Sequence, residues 1–150
     1  MDTASAPTAA RPAHLGWRLL ALLYDTLPAL ALWFLGAAVM LALTFGRTVA
    51  PGSIEAWMEL LWLWLLTGAY AVISWRLGGQ TLGMRPWRLR VTDAQGQRAS
   101  WSALCLRYAV ATVSLAAFGL GLLWSLIDRQ HRSWHDLASG TLMVRMDPSR

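Results

Sequence analysis

The run from Leu19 to Phe45 constrains this chain most: twenty-seven residues that carry one charge, Asp25. A helix rises ~1.5 Å per residue and a bilayer core is ~30 Å thick, so the run is long enough to span. Arg18 stands at its entrance, and Asp25 follows seven positions later. That is nearly two helical turns, which sets both side chains on one face. A carboxylate at such depth costs ~2.5–3.5 kcal/mol on insertion scales and normally faces protein or a wet cavity. Asp25 therefore needs a partner, and the candidates read from the sequence are Arg18 and Arg107.

Composition agrees with a lipid-embedded chain. Hydrophobic residues make up 56% of the 150 positions and charged ones only 14%, with room for one domain. Ten tryptophans, many at the ends of apolar runs, read as an interfacial aromatic belt. All thirteen basic residues are arginine. They sit beside apolar runs, so the formal charge of +5 points to anionic lipid headgroups and positive-inside topology, not to nucleic acid. Cys105 is alone, which rules out an internal disulfide.

In chain order, residues 1–12 read as a disordered cytoplasmic tail rich in Ala, Thr and Pro, and 13–147 as one membrane domain. The run that follows is too long, and too acidic at Asp25, for a signal peptide. Pro12 suits a first helical turn, which predicts a helix from about Ala13. Pro28 predicts a packing kink, or an opening beside Asp25. Residues 46–53 form a loop, with Ser53 as N-cap and Glu55 in the first turn of a second helix over 54–75. Trp57 and Trp75 are expected at its two interfaces, Arg76 snorkels, and Gly78-Gly79 ends it.

Between the second and third apolar runs Leu89 and Val91 alternate with Arg88, Arg90 and Thr92, the period of a half-buried strand. Asp93 to Gly96 is a turn. Residues 141–146 alternate likewise, with Leu142, Val144 and Met146 expected on one face. A lone two-stranded ridge is unstable, so the two segments are expected to pair at the membrane surface. The third run, 101–127, then has to return to the side it left. Doubling back at Phe118-Gly119-Leu120-Gly121 places eleven of thirteen arginines inside, with Arg47 outside and Arg107 within the helix. Helices are expected over about 102–117 and 120–129. The fold class is thus an all-α membrane protein: a helical bundle of two long transmembrane helices plus a third apolar segment folded as a helical hairpin, with a small cytoplasmic β-strand pair.

Three stretches carry a resemblance: RLLALLYD, GGQTLGMRPWRLRVTDAQG and DRQHRSWHDLASGTLMVR. Together they resemble the RDD family of membrane proteins, named for an arginine at the start of the first helix, an aspartate within it and a second aspartate. The matches are Arg18, Asp25 and Asp136, the last within a motif similar to Asp-Leu-x-x-Gly-Thr. The Gly-Gln-Thr-x-Gly turn is matched at Gly79–Gly83, and the Leu-Arg-Val-x-Asp strand at Leu89–Asp93. The lysine often found after that turn is replaced by Met84-Arg85. What the resemblance implies is modest: activity mostly unassigned, with transport of an unknown ligand proposed and sodium/proton antiport for some members. A bacterial inner membrane location, with both termini cytoplasmic, is the expectation.

His131 and His135, with Asp136 adjacent, have the spacing of a two-histidine metal clamp, but no third ligand accompanies them. Interfacial residues beside a headgroup layer are the favoured reading. Arg107 reads equally as a counter-ion for Asp25 or as a snorkelling end residue. No nucleophile–base pair or phosphate-binding glycine loop stands out, so neither an enzyme nor a cofactor is expected. Two functions remain. In the first, Arg18, Asp25, Asp136 and Arg107 form a buried network with a structural or accessory role. In the second, Asp25 serves proton- or sodium-coupled transport of an ion or small ligand. So short a chain then needs a homo-oligomer or a membrane protein partner to enclose a path.

Overall fold

The computed structural model describes residues 10–47 and 49–146. Most of the expected tail, residues 1–9, and the C-terminal residues 147–150 lie outside that range.

Two long helices, α1 (Leu15–Leu43) and α2 (Ile54–Gly78), pack as a hairpin. Both are long and apolar enough to cross a membrane. α1 begins two residues later than Pro12 suggests, because the segment before it is taken by a sheet. Ala10–Pro12 is a strand, β1, and Ala13 N–H donates to Met143 O at 2.9 Å. The last three residues of the stretch read as tail, Ala10–Pro12, thus form an edge strand. α1 continues through Pro28. The caps of α2 are those expected, with Ser53 Oγ accepting from Ala56 N–H at 3.2 Å and Gly79 closing the helix at φ 72°.

The sheet is three-stranded and antiparallel, in the order β1-β3-β2, with β2 at Leu89–Asp93 and β3 at Thr141–Met146. The expected pair is thus present and gains a third member. The register fixes how the two faces of β3 are placed. Leu89 lies opposite Arg145, Val91 opposite Met143 and Asp93 opposite Thr141. Directly paired residues point to the same face, so Thr141, Met143 and Arg145 share the face of Leu89 and Val91, while Leu142, Val144 and Met146 lie together on the other as expected. Alternation groups the residues into two faces but does not say which one meets the helices. Arg145 uses its place to lie over the Trp17 ring, 4.1 Å from the centroid.

The third apolar run breaks as expected. Helix α3 (Trp101–Ala116) stops at Phe118 and Gly119, both at positive φ, and a short helix α4 (Leu120–Leu123) leads into a 3-10 turn at Trp124–Leu126. The second arm bends by 106° from the direction of the first and is shorter than the sequence suggests. Since β2 precedes this run and β3 follows it, both of its ends lie at the sheet. A six-residue helix, α5 (Trp134–Ser139), makes the connection to β3.

Burial is inverted relative to a soluble protein. Large side chains on the long helices are open, Phe34 by 74% and Leu27 by 68%, while the buried cluster lies near the sheet around Ala13, Ala21, Met84, Leu89, Val91 and Leu104. Lipid-facing helices give this pattern, because apolar side chains lose nothing by facing hydrocarbon. Helices then associate where small residues allow close approach. Gly68 is such a point: a Cβ there would lie 2.6 Å from the Tyr108 ring.

Candidate functional site

Charged residues from three distant segments meet where the helices join the sheet. Arg18, Arg107 and Asp136 are only 4%, 1% and 1% exposed. Asp136 is placed by local backbone chemistry. Ser133 caps α5, its side chain bonding the backbone of the third helical residue, and Asp136 Oδ2 accepts from Ser133 N–H at 3.0 Å to complete a capping box. Gly140 at φ 62° ends the helix after one and a half turns, which brings Thr141 into β3 beside the same site.

Two guanidiniums share the one carboxylate. Arg18 Nη1 donates to Asp136 Oδ2 at 2.5 Å, and Arg107 Nη1 donates to Oδ1. Arg18 also donates to Ser133 Oγ at 3.1 Å, His131 O at 3.0 Å and Ala13 O at 3.0 Å. It thereby ties the start of α1 to β1 and to the loop before α5. Arg107 donates to Thr141 Oγ1 at 2.8 Å and lies over the Trp75 ring at 5.4 Å. Burial pushes the Asp136 carboxyl up, but the guanidiniums of Arg107 and Arg18 outweigh it and hold the group well below the usual carboxylate range. His135, beside them, bonds Ser133 Oγ at 2.8 Å through Nε2. Burial, reinforced by the Arg107 charge, pushes its imidazole down to about 3.

Asp25 is the principal correction. Neither Arg18 nor Arg107 pairs with it, because both are committed to Asp136. Its partners are uncharged. Oδ1 accepts from Tyr70 OH at 3.0 Å and from Gly83 N–H at 2.9 Å, and Oδ2 accepts from Thr81 Oγ1 at 2.5 Å. Tyr70 OH in turn accepts from Leu82 N–H at 3.0 Å. The Gly-Gln-Thr-Leu-Gly turn is therefore a carboxylate-binding loop wrapped on α1. Gly83 has no room for a side chain, since a Cβ would lie 2.6 Å from the Asp25 carboxyl carbon. Three donors thus satisfy the carboxyl group without a counter-ion.

Of the four residues read as one network, Arg18, Arg107 and Asp136 come together and Asp25 stands apart on its own donors. Arg107 is neither a counter-ion for Asp25 nor a snorkelling residue. Trp75, expected at an interface, packs against the core and under Arg107, with its indole N–H buried. His135 is buried in the cluster instead of facing headgroups. Among the described residues, no group of three or more His, Cys, Asp or Glu side chains comes together as a metal site. Sequence reasoning missed Tyr70, Thr81, Ser133 and Thr141. Thr81 and Gly83 lie in a motif it had noticed, but motif spacing does not reveal which carboxylate the loop grips.

The two carboxylate sites border a shared cavity of about 340 Å³, lined mainly by α1, α2 and α3. Two long apolar helices, a broken third and a buried Arg–Asp–Arg cluster capped by a sheet define a small membrane-type helical protein. The RDD family model matches residues 12–140, and the chain belongs to the RDD family. Compared with the curated proteins and with the solved structures, the chain has no match.

Proposed function

We propose that this chain is an integral protein of the bacterial inner membrane. Both termini and the sheet are cytoplasmic, and its role is structural or accessory, not catalytic. The observation that carries this reading is the saturation of both motif carboxylates. Asp136 holds two arginines and the α5 cap, and Asp25 accepts three hydrogen bonds. Groups so committed suit a rigid scaffold better than an exchange site. Membrane lipids with anionic headgroups, and a second copy or another membrane protein, are its partners. One observation favours a second reading, transport of an ion or small ligand by an oligomer: Arg18, Asp25 and Arg107 all border the cavity. Ion flux in proteoliposomes tests the choice, with wild type compared against Asp25→Asn. No flux above empty vesicles supports the accessory role, and proton- or sodium-driven flux that vanishes in Asp25→Asn overturns it.

A further inference from the structure

α1 and α3 each pack on α2 but scarcely touch one another, and the cavity lies between them. Its α1 wall runs from Arg18 to Trp33. At ~1.5 Å per residue that is roughly 22 Å of helix, deeper than the ~15 Å that is half of a ~30 Å hydrocarbon core. Away from the sheet the walls are Ala29, Ala111 and Leu115, with the rings of Trp33 and Tyr108 and the side chains of Thr67 and Thr112, whose hydroxyls are already bonded. The sheet end is polar, and its hydrogen bonding is incomplete. Arg107 Nε and Trp75 Nε1 are buried N–H donors without an acceptor, and His135 Nδ1 is also unpaired. Arg107, Trp75 and His135 all line the cavity. Two guanidiniums on Asp136 also leave one positive charge in excess. Asp25 lies at the same end, but its oxygens are already taken by Tyr70, Thr81 and Gly83.

We propose that this crevice binds one acyl chain of an anionic phospholipid from the surrounding bilayer, with the phosphate at the Arg107–Trp75 end. The occupant follows from chemistry. Orphaned donors beside surplus positive charge call for an anionic acceptor, and an unpaired buried donor costs about 1–3 kcal/mol. The apolar length beyond them calls for a hydrocarbon tail. A volume at the small end of ligand cavities admits one chain and not two. Basic pockets between membrane helices on the cytoplasmic side bind lipid headgroups on the same grounds. The inference rests on the membrane reading above.

The test begins with carbonate extraction of native membranes. Release of the wild-type chain into the supernatant overturns the membrane reading, and this inference with it. The retained protein is then reconstituted in bilayers of equal phosphatidylglycerol and phosphatidylcholine, re-extracted in mild detergent, and weighed by native mass spectrometry. One phosphatidylglycerol per chain is expected, retained roughly tenfold over phosphatidylcholine. Ala111→Phe places a ring in the crevice one turn beyond Arg107, and it is expected to abolish retention while leaving the thermal midpoint near wild type. If that variant does not fold, Ala29→Phe on the opposite wall applies the same test. Equal retention of both lipids, or undiminished retention in the filled variant, overturns the inference while leaving the membrane reading intact.

Discussion

Arg18 and Arg107 take opposite oxygens of a single carboxylate, Asp136, and so join the start of α1 to the middle of α3 through α5. None of the three is open to solvent. Removing one member of such a cluster leaves an uncompensated buried charge, which costs about 3–5 kcal/mol. Asp136→Ala strands two guanidiniums and is expected to be the most destabilising single change here. Arg18→Ala still leaves Arg107 paired, so it is expected to cost less. The double variant is expected to fall short of additivity by about 1 kcal/mol or more in detergent unfolding. Strict additivity would show that the pair is not energetically shared.

Asp25→Asn is expected to fold. Had Asp25 neutralised an arginine, the amide would leave a buried charge. Instead it meets Tyr70, Thr81 and the Gly83 N–H. The amide oxygen still accepts, and Thr81 Oγ1 is able to accept from the amide nitrogen by reversing its hydroxyl. Loss of charge-assisted bonding is expected to lower stability by about 1.5–3 kcal/mol, well short of the Asp136→Ala effect. An Asn variant recovered only as aggregate would contradict this.

Gly83→Ala is expected to release the loop after α2. Its new Cβ has to displace α1 backbone or the Asp25 carboxyl. Loss of that seat exposes the segment leading to β2, and trypsin is expected to cut after Arg88 faster in the variant than in wild type. Equal cleavage rates would show that the loop is held by something other than Asp25.

Acid is expected to weaken the fold in two stages. The His135 imidazole is held down at about 3 by burial and by the Arg107 charge, whereas an unfolded histidine titrates near ~6.5. Between those values the unfolded chain binds a proton that the folded chain refuses. Stability therefore falls as pH falls, by up to ~1.4 kcal/mol per unit. Asp136, whose folded value lies far below the ~3.9 of an unfolded aspartate, adds stability that is present above that value and is lost as pH drops below it. His135→Gln is expected to flatten the upper stage, read as thermal midpoint against pH, and to spare the lower one. An unchanged upper slope would assign it to another group.

Reporter fusions at the N-terminus, at the Asp93–Gly96 turn and at the C-terminus are expected to report one side, the cytoplasmic one. β1, β2 and β3 share a sheet, which requires the three segments to be together. A C-terminal fusion reporting the opposite side would be incompatible with the β2–β3 register.

Length, period and local backbone chemistry were legible in the chain itself. The lengths of α1 and α2 follow from apolar runs, nearly free of charge, that are long enough for a bilayer. Ser53, Gly79 and the turn at Asp93–Gly96 depend only on near neighbours, and so does the break at Phe118-Gly119. The need for Asp25 to find a partner was legible too, from the cost of burying a charge. Which partner it found was not. Arg18 and Asp136 are 118 positions apart, and Thr81 is 56 from Asp25. Two arginines within reach of two aspartates allow several pairings, all equally consistent with helical spacing. Packing chose among them: the α5 capping box aimed Asp136 at both guanidiniums, and the glycine-walled loop closed on Asp25. The burial of Trp75 was decided likewise, because a helix apolar on most sides leaves its orientation to whatever packs against it.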